Sequence, residues 1–98
     1  MPYTYVLKCN DGTYCTGSSW DLNKRLAEHN AGQGGAYTAK RLPVKLVYFE
    51  EFDRIEDAFC REKEIQNLDD NGIRTLVKEN YETLKESARE IFGAGFFF

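Results

Sequence analysis

Apolar residues run together or alternate in three short stretches of the chain and recur every three to four positions in four others. This change of period, from two to about 3.6, separates strands from helices. Tyr3–Cys9 is rich in aromatic and β-branched residues, Asn10-Asp11-Gly12 is a turn signal, and Thr13–Gly17 reads as the returning strand of a β-hairpin. Val44–Phe49 reads as a third strand. In Trp20–Asn30, Leu22 and Leu26 define one helical stripe, and in Arg54–Leu68 the stripe is Ile55, Ala58, Phe59 and Ile65. Ile73–Val77 and Tyr81–Ile91 read as two short amphipathic helices after Asp69-Asp70-Asn71-Gly72, a turn or cap.

Loop length sets which side chains share a face. A two-residue loop at Asp11-Gly12 puts Tyr5 and Cys15 on opposite faces, whereas a three-residue loop through Thr13 pairs Cys9 with Cys15 and brings Tyr5 onto their face; the second is favoured. Ser18 or Ser19 is the expected N-cap of the first helix, with Asp21 near its positive end, and the helix stops before Ala31-Gly32. Gly32–Pro43 is expected to be a glycine-rich loop holding Tyr37, Thr38, Lys40 and Arg41. The element order predicts an α+β fold, a small three-stranded antiparallel or mixed sheet flanked by helices. Residues 1–92 form the expected single domain and residues 93–98, GAGFFF, an aromatic tail.

Composition narrows the classes. Ninety-eight residues with 42% hydrophobic content fit one modest core. The chain has no apolar run near the ~20 residues needed to span a bilayer, and MPYTYVLKC lacks the basic start of a secretory signal, so a cytoplasmic location without membrane contact is expected. Cys9, Cys15 and Cys60 are odd in number and spaced unlike zinc ligands, which argues for reduced thiols. The net charge of −3 hides a division: residues 1–49 carry six basic and three acidic groups, residues 50–98 seven and thirteen. Only the first half attracts phosphate broadly, so any nucleic-acid contact should be local or helped by a divalent ion.

Candidate chemistry sits where charge meets the greasy stripes. Glu62 projects between Ala58 and Phe59, and Arg25 and His29 sit at i and i+4 beside Leu22 and Leu26. Charges aimed at a core's edge need partners, a metal or a polar cleft. A structural Glu–Arg or Glu–His pair satisfies the same pattern, so pattern alone leaves the choice open.

At these points the chain resembles the GIY-YIG nuclease superfamily, and more closely its small stand-alone single-domain (UPF0213-like) group, from about Tyr3 to Leu84. The segments carrying the resemblance are TYVLKCNDGTYCTGSS, DLNKRLAEHN, AGQGGAYTAKRLPVKLVY and EDAFCREKEI. The resemblance implies that Tyr5 stands at the first motif tyrosine, Gly17 at the glycine of the second motif and Arg25 at the catalytic arginine. His29 would stand at a helix position often filled by His or Tyr, and Glu62 at the ligand of a single Mg²⁺ or Mn²⁺ ion. Cys15 departs from the pattern, standing where the family has a second tyrosine, while the neighbouring Tyr14 should face the other side of the strand.

The implied function is phosphodiester hydrolysis in nucleic acid, with DNA favoured as partner. The metal would neutralise phosphate charge, Arg25 would stabilise the pentacovalent phosphate, and Tyr5 or His29 would take the proton from water. Gly17, Tyr37, Lys40 and Arg41 are the expected nucleic-acid contacts. A non-catalytic binding module is the competing reading, supported by Cys15 and the acids of Leu68–Gly72, and redox sensing by Cys9 and Cys15 is a third. The oligomeric state is open between monomer and weak dimer.

Overall fold

A computed structural model describes residues 1–92, with side chains through Glu90; the aromatic tail lies outside the described residues. Strands β1 (Tyr3–Lys8), β2 (Tyr14–Ser19) and β3 (Lys45–Glu51) form one antiparallel sheet in the order β2-β1-β3. Helices α1 (Leu22–Asn30), α2 (Ala36–Ala39), α3 (Ile55–Gln66) and α4 (Asp70–Phe92) flank it. The fold is the expected α+β class, with the sheet fully antiparallel.

Alternation along β1 divides the core. Tyr3, Tyr5, Leu7 and Cys9 pack with Leu22, Val44, Leu46 and Phe49 on one face, while Val6 packs with Val47, Tyr48, Ile65 and Ile73 on the other. Full burial of side chains such as Leu7, Leu22 and Ile65 contributes roughly 1.5–3 kcal/mol each. The first face receives α1 through Leu22 and Leu26, and the second receives α3 through Ile65. Thr4, also on the second side, donates its hydroxyl to the Ala58 carbonyl at 2.6 Å and ties α3 to the central strand. Helix α4 wraps the β3 edge: Ile73, Leu76 and Val77 join the second core, Ala88 joins the first, and Leu84 touches both. One sheet edge is thereby covered. No helix among the described residues is long and apolar enough to cross a membrane.

Five sequence expectations are corrected. The hairpin register is offset by two residues, because the loop is Asn10-Asp11-Gly12 with Gly12 at φ +86°, and the Cys9 N–H reaches the Thr13 carbonyl at 2.8 Å. Cys15 therefore stands opposite Leu7 and not Cys9, though Tyr5 and Cys15 still share a face. The N-cap of α1 is Asp21, whose carboxylate accepts from the Lys24 N–H at 3.1 Å, so neither Ser18 nor Ser19 fills that position. The glycine-rich loop contains a helical turn, α2. The last two helices are one: the Asp69 carboxylate accepts from the Gly72 N–H at 2.8 Å and starts α4, which continues unbroken. The acids of Leu68–Gly72 thus have a local structural use. Phe59, placed on the buried stripe of α3 by periodicity, is 49% exposed.

Candidate functional site

Tyr5 on the central strand directs its ring over Gly17 of the edge strand, its partner in the antiparallel register. A Cβ at position 17 would lie 2.6 Å from the phenol oxygen and 2.7 Å from the ring, so only glycine leaves space there. The phenol meets two residues of α1. It lies 3.1 Å from Nε2 of His29 and accepts from Nε of Arg25 at 3.3 Å. Arg25 and His29, one helical turn apart, both overhang the sheet.

A second pair of contacts fixes each α1 residue from behind. His29 Nδ1 lies 2.9 Å from the Thr38 hydroxyl of α2, and Arg25 donates through Nη2 to the Gly34 carbonyl at 3.3 Å. Gly34 packs so closely on the imidazole that a Cβ there would overlap its ring. Tyr5, His29 and Thr38 are all buried, whereas the Arg25 side chain remains 34% exposed and makes a loose 3.7 Å pair with Glu28. The cluster thus presents one charged group to solvent and keeps its proton acceptors dry. Sequence reading placed Thr38 in a loop and gave it no role.

Electrostatics follow from this burial. Desolvation pushes the Tyr5 phenol above its usual range, with Arg25 opposing the shift, so the phenol keeps its proton at neutral pH. Burial and then the Arg25 charge hold His29 below its ordinary value of 6.5, leaving the imidazole neutral. A neutral imidazole has one acceptor nitrogen, the property a proton-receiving group requires. Burial also raises the Cys15 thiol, which is therefore no thiolate nucleophile.

His29 is the one histidine of the chain, so its ring resonance titrates without overlap. Its midpoint by NMR is expected below 6.5, and a midpoint at or above that value would contradict the geometry. The sign for stability follows: the unfolded chain takes up this proton first. The His29 contribution is therefore flat above neutrality and falls as pH drops from about 6.5 toward the lower folded-state value.

Glu62 stands across the edge strand from this cluster. Helix α3 lies on the Val6 face of the sheet, and Glu62 accepts from the Ser18 hydroxyl and, at 3.0 Å, from the Gln66 amide. Ser18 is opposite Thr4 in the register, so its side chain leaves β2 on the face away from Tyr5. The carboxylate and the phenol therefore flank the β2 edge from two sides. Glu62 is near enough for its charge to add to the upward shifts of Tyr5 and Cys15, behind desolvation in both. Ser18 and Gln66 were not identified as Glu62 partners from sequence, because their proximity is purely tertiary.

The carboxylate is half-buried and bonded to neutral donors, with no ion pair recorded for it among the described residues. That suits a hard divalent ion held by one carboxylate, water and substrate oxygens. No group of three or more His, Cys, Asp or Glu that could hold a metal occurs among the described residues, so an all-protein cage is not built.

The expected nucleic-acid contacts separate. Gly17 is a packing position for Tyr5. Arg41 lies 3.8 Å from the centre of the Tyr37 ring, donates to the Tyr37 carbonyl at 2.8 Å and pairs with Asp11 at 2.9 Å, so its fork is committed to the hairpin turn. Lys40 is exposed. All three cysteines are free, and Cys9 and Cys15 are not cross-strand partners, which removes the geometric basis of the redox reading.

Comparison with known proteins shows the family. Residues 1–75 match the model of the GIY-YIG catalytic domain. A UPF0213 protein of Halobacterium salinarum is 48% identical over 69% of this chain and 88% of its own. A UPF0213 protein of Staphylococcus saprophyticus is 44% identical over 79% and 94%. The solution NMR structure of a UPF0213 protein from Bacillus halodurans superposes with a TM-score of 0.56 at 31% identity, covering 91% of this chain and 96% of that one. The chain therefore belongs to the GIY-YIG catalytic-domain family, a family of nucleases, with UPF0213 proteins as its relatives.

Proposed function

We propose that this chain is an endonuclease that hydrolyses phosphodiester bonds in DNA at the β2 edge, with one Mg²⁺ or Mn²⁺ ion. The observation that carries the reading is the hydrogen-bonded line Arg25–Tyr5–His29–Thr38 beside a carboxylate that no described cation neutralises. Glu62 would hold the ion, which when bound supplies charge neutralisation at phosphate oxygens. Arg25, the half-buried member of the line, offers its remaining N–H groups to the phosphate and stabilises the charge developed in the transition state. Tyr5 is the group that receives the proton of the attacking water, as its own proton passes to Nε2 of His29. His29 is 2% exposed and acts through Tyr5, with Thr38 accepting from Nδ1–H and fixing the tautomer.

The test is Mg²⁺-dependent cleavage of plasmid, single-stranded and branched DNA by the purified chain. Product from at least one is expected, and product from none, with either Mg²⁺ or Mn²⁺, contradicts the reading. Cys15 favours a second reading, a binding module that no longer cleaves. Cys15→Tyr restores a phenol on the face that Tyr5 occupies and is expected to raise the single-turnover rate about tenfold or more, the lower part of the range for a positioned acid or base. Cleavage that appears only in the variant would favour the binding module, and an unchanged rate would show that the thiol costs the natural chain nothing.

A further inference from the structure

On the sheet face opposite Tyr5, a groove of about 360 Å³ runs between the hairpin strands and α4. Lys8, Tyr14 and Val47 line it from the three strands, and Arg74, Val77, Lys78, Tyr81 and Glu82 from the helix. Its size falls within the ~300–1,000 Å³ usual for small-molecule sites.

The groove is built by features that the catalytic reading does not use. Tyr14 is the strand tyrosine that faces away from the Tyr5 cluster and packs beside the second core. The register between β1 and β3 slips after Val6, so that Val47 and Tyr48 both join this face, and Val47 forms part of the apolar wall. On α4, positions 74, 77, 78 and 81 make one stripe, placing Arg74 and Lys78 beside Tyr81. Lys85 continues the stripe, 5.8 Å from the Tyr81 ring centre.

Charge and ring chemistry then limit the occupant. Three cations line the groove against one carboxylate, Glu82, and two of them, Arg74 and Lys78, come from the half of the chain that is otherwise acidic. Among the described residues Lys8, Arg74 and Lys78 form no recorded ion pair; Arg74 is steered by the Asn71 side-chain oxygen at 3.2 Å. Two tyrosines and two valines offer flat apolar surface between these cations. An aliphatic acid would leave the rings unused, and a neutral aromatic would leave the cations unused. A planar base carrying a phosphate uses both, by stacking and by charge-assisted hydrogen bonds.

We propose that this groove is a second binding site, for a nucleotide, either free or as one unit of a strand, with the base against Tyr14 and Tyr81 and the phosphate held by Lys8, Arg74 and Lys78. The site is independent of metal and of the cleavage chemistry.

Amide NMR titration of the whole chain without divalent ions tests it, using AMP, adenosine, inorganic phosphate and a short oligo(dA). Saturable shifts are expected at Lys8, Tyr14, Arg74, Lys78 and Tyr81, with AMP stronger than adenosine or phosphate alone. The double variant R74E/K78E alters two exposed positions and is expected to weaken AMP binding by tenfold or more, as about 1.4 kcal/mol of phosphate interaction is lost. Tyr14→Leu should weaken AMP and leave phosphate unchanged. Groove shifts with AMP identify a free nucleotide as a source, and shifts with the oligonucleotide alone identify a strand; both support the site. No saturable shift at these residues with any probe, or shifts that survive R74E/K78E undiminished, would overturn it.

Discussion

Glu62→Ala is expected to lower single-turnover DNA cleavage by about 10²-fold or more while leaving the fold intact, and Arg25→Ala to do the same by a different route. The two substitutions separate because the residues flank the β2 edge from opposite faces. Among the described residues Glu62 is bonded only to Ser18 and Gln66, both partly open to water, so its removal should change stability by less than about 1 kcal/mol. Its loss should also abolish the response of the rate to Mg²⁺ concentration. Arg25→Ala, by contrast, should leave that response in place and lower the maximum rate, since it removes the guanidinium and the donor to the Tyr5 oxygen together. Arg25→Lys keeps the charge and loses the fork, so partial recovery is expected. Equal Mg²⁺ dependence in Glu62→Ala and the parent would remove Glu62 from the metal role.

The second large effect comes from a residue that touches no substrate. Gly34→Ala is expected to destabilise the chain by about 1–3 kcal/mol and to lower cleavage about tenfold or more, because its methyl would occupy the volume of the His29 imidazole. That ring is held between Tyr5 and Thr38, so it has no free rotation with which to escape. Either the ring leaves the phenol or the loop withdraws the carbonyl that anchors Arg25, and both break the line. Gly32→Ala is the control. Its φ of +81° makes any side chain unfavourable by roughly 1–2 kcal/mol, yet nothing lies near the added methyl, so stability should fall with the site undisturbed. Thermal melts and the His29 ring resonance distinguish the two, and a Gly34→Ala chain with parental stability and rate would show that the imidazole is not clamped.

Much of this arrangement was legible before any coordinates. The period of Trp20–Asn30 sets Arg25 and His29 beside the buried stripe of the first helix, the resemblance adds Tyr5, and the structure finds both α1 residues hydrogen-bonded to that phenol. What escaped has identifiable physical causes. The hairpin register depends on which residue of Asn10–Thr13 adopts positive φ, and Gly12 does so one position earlier in the turn than the favoured loop requires. Gly72 reads as a break, but Asp69 caps it from below, and the apolar positions Ile73, Val77, Leu84 and Ala88 carry one unbroken helix around the β3 edge. Glu62 falls on the greasy side of α3 in projection, and the sheet is narrow enough there that the side chain reaches the β2 edge and not a closed core. Thr38 and Gly34 could be found only by folding, since their significance is contact with an imidazole distant in any local pattern.

In the proposed reading, a carboxylate on one side of β2 and a phenol–guanidinium–imidazole line on the other serve one reaction centre. Anomalous diffraction from Mn²⁺-soaked crystals addresses it directly. A peak is expected on the Glu62 carboxylate at the β2 edge, open toward Tyr5 and Arg25, and absent in Glu62→Ala. Manganese bound elsewhere with Glu62 still closed on Ser18 and Gln66, or a peak that persists without the carboxylate, would contradict it.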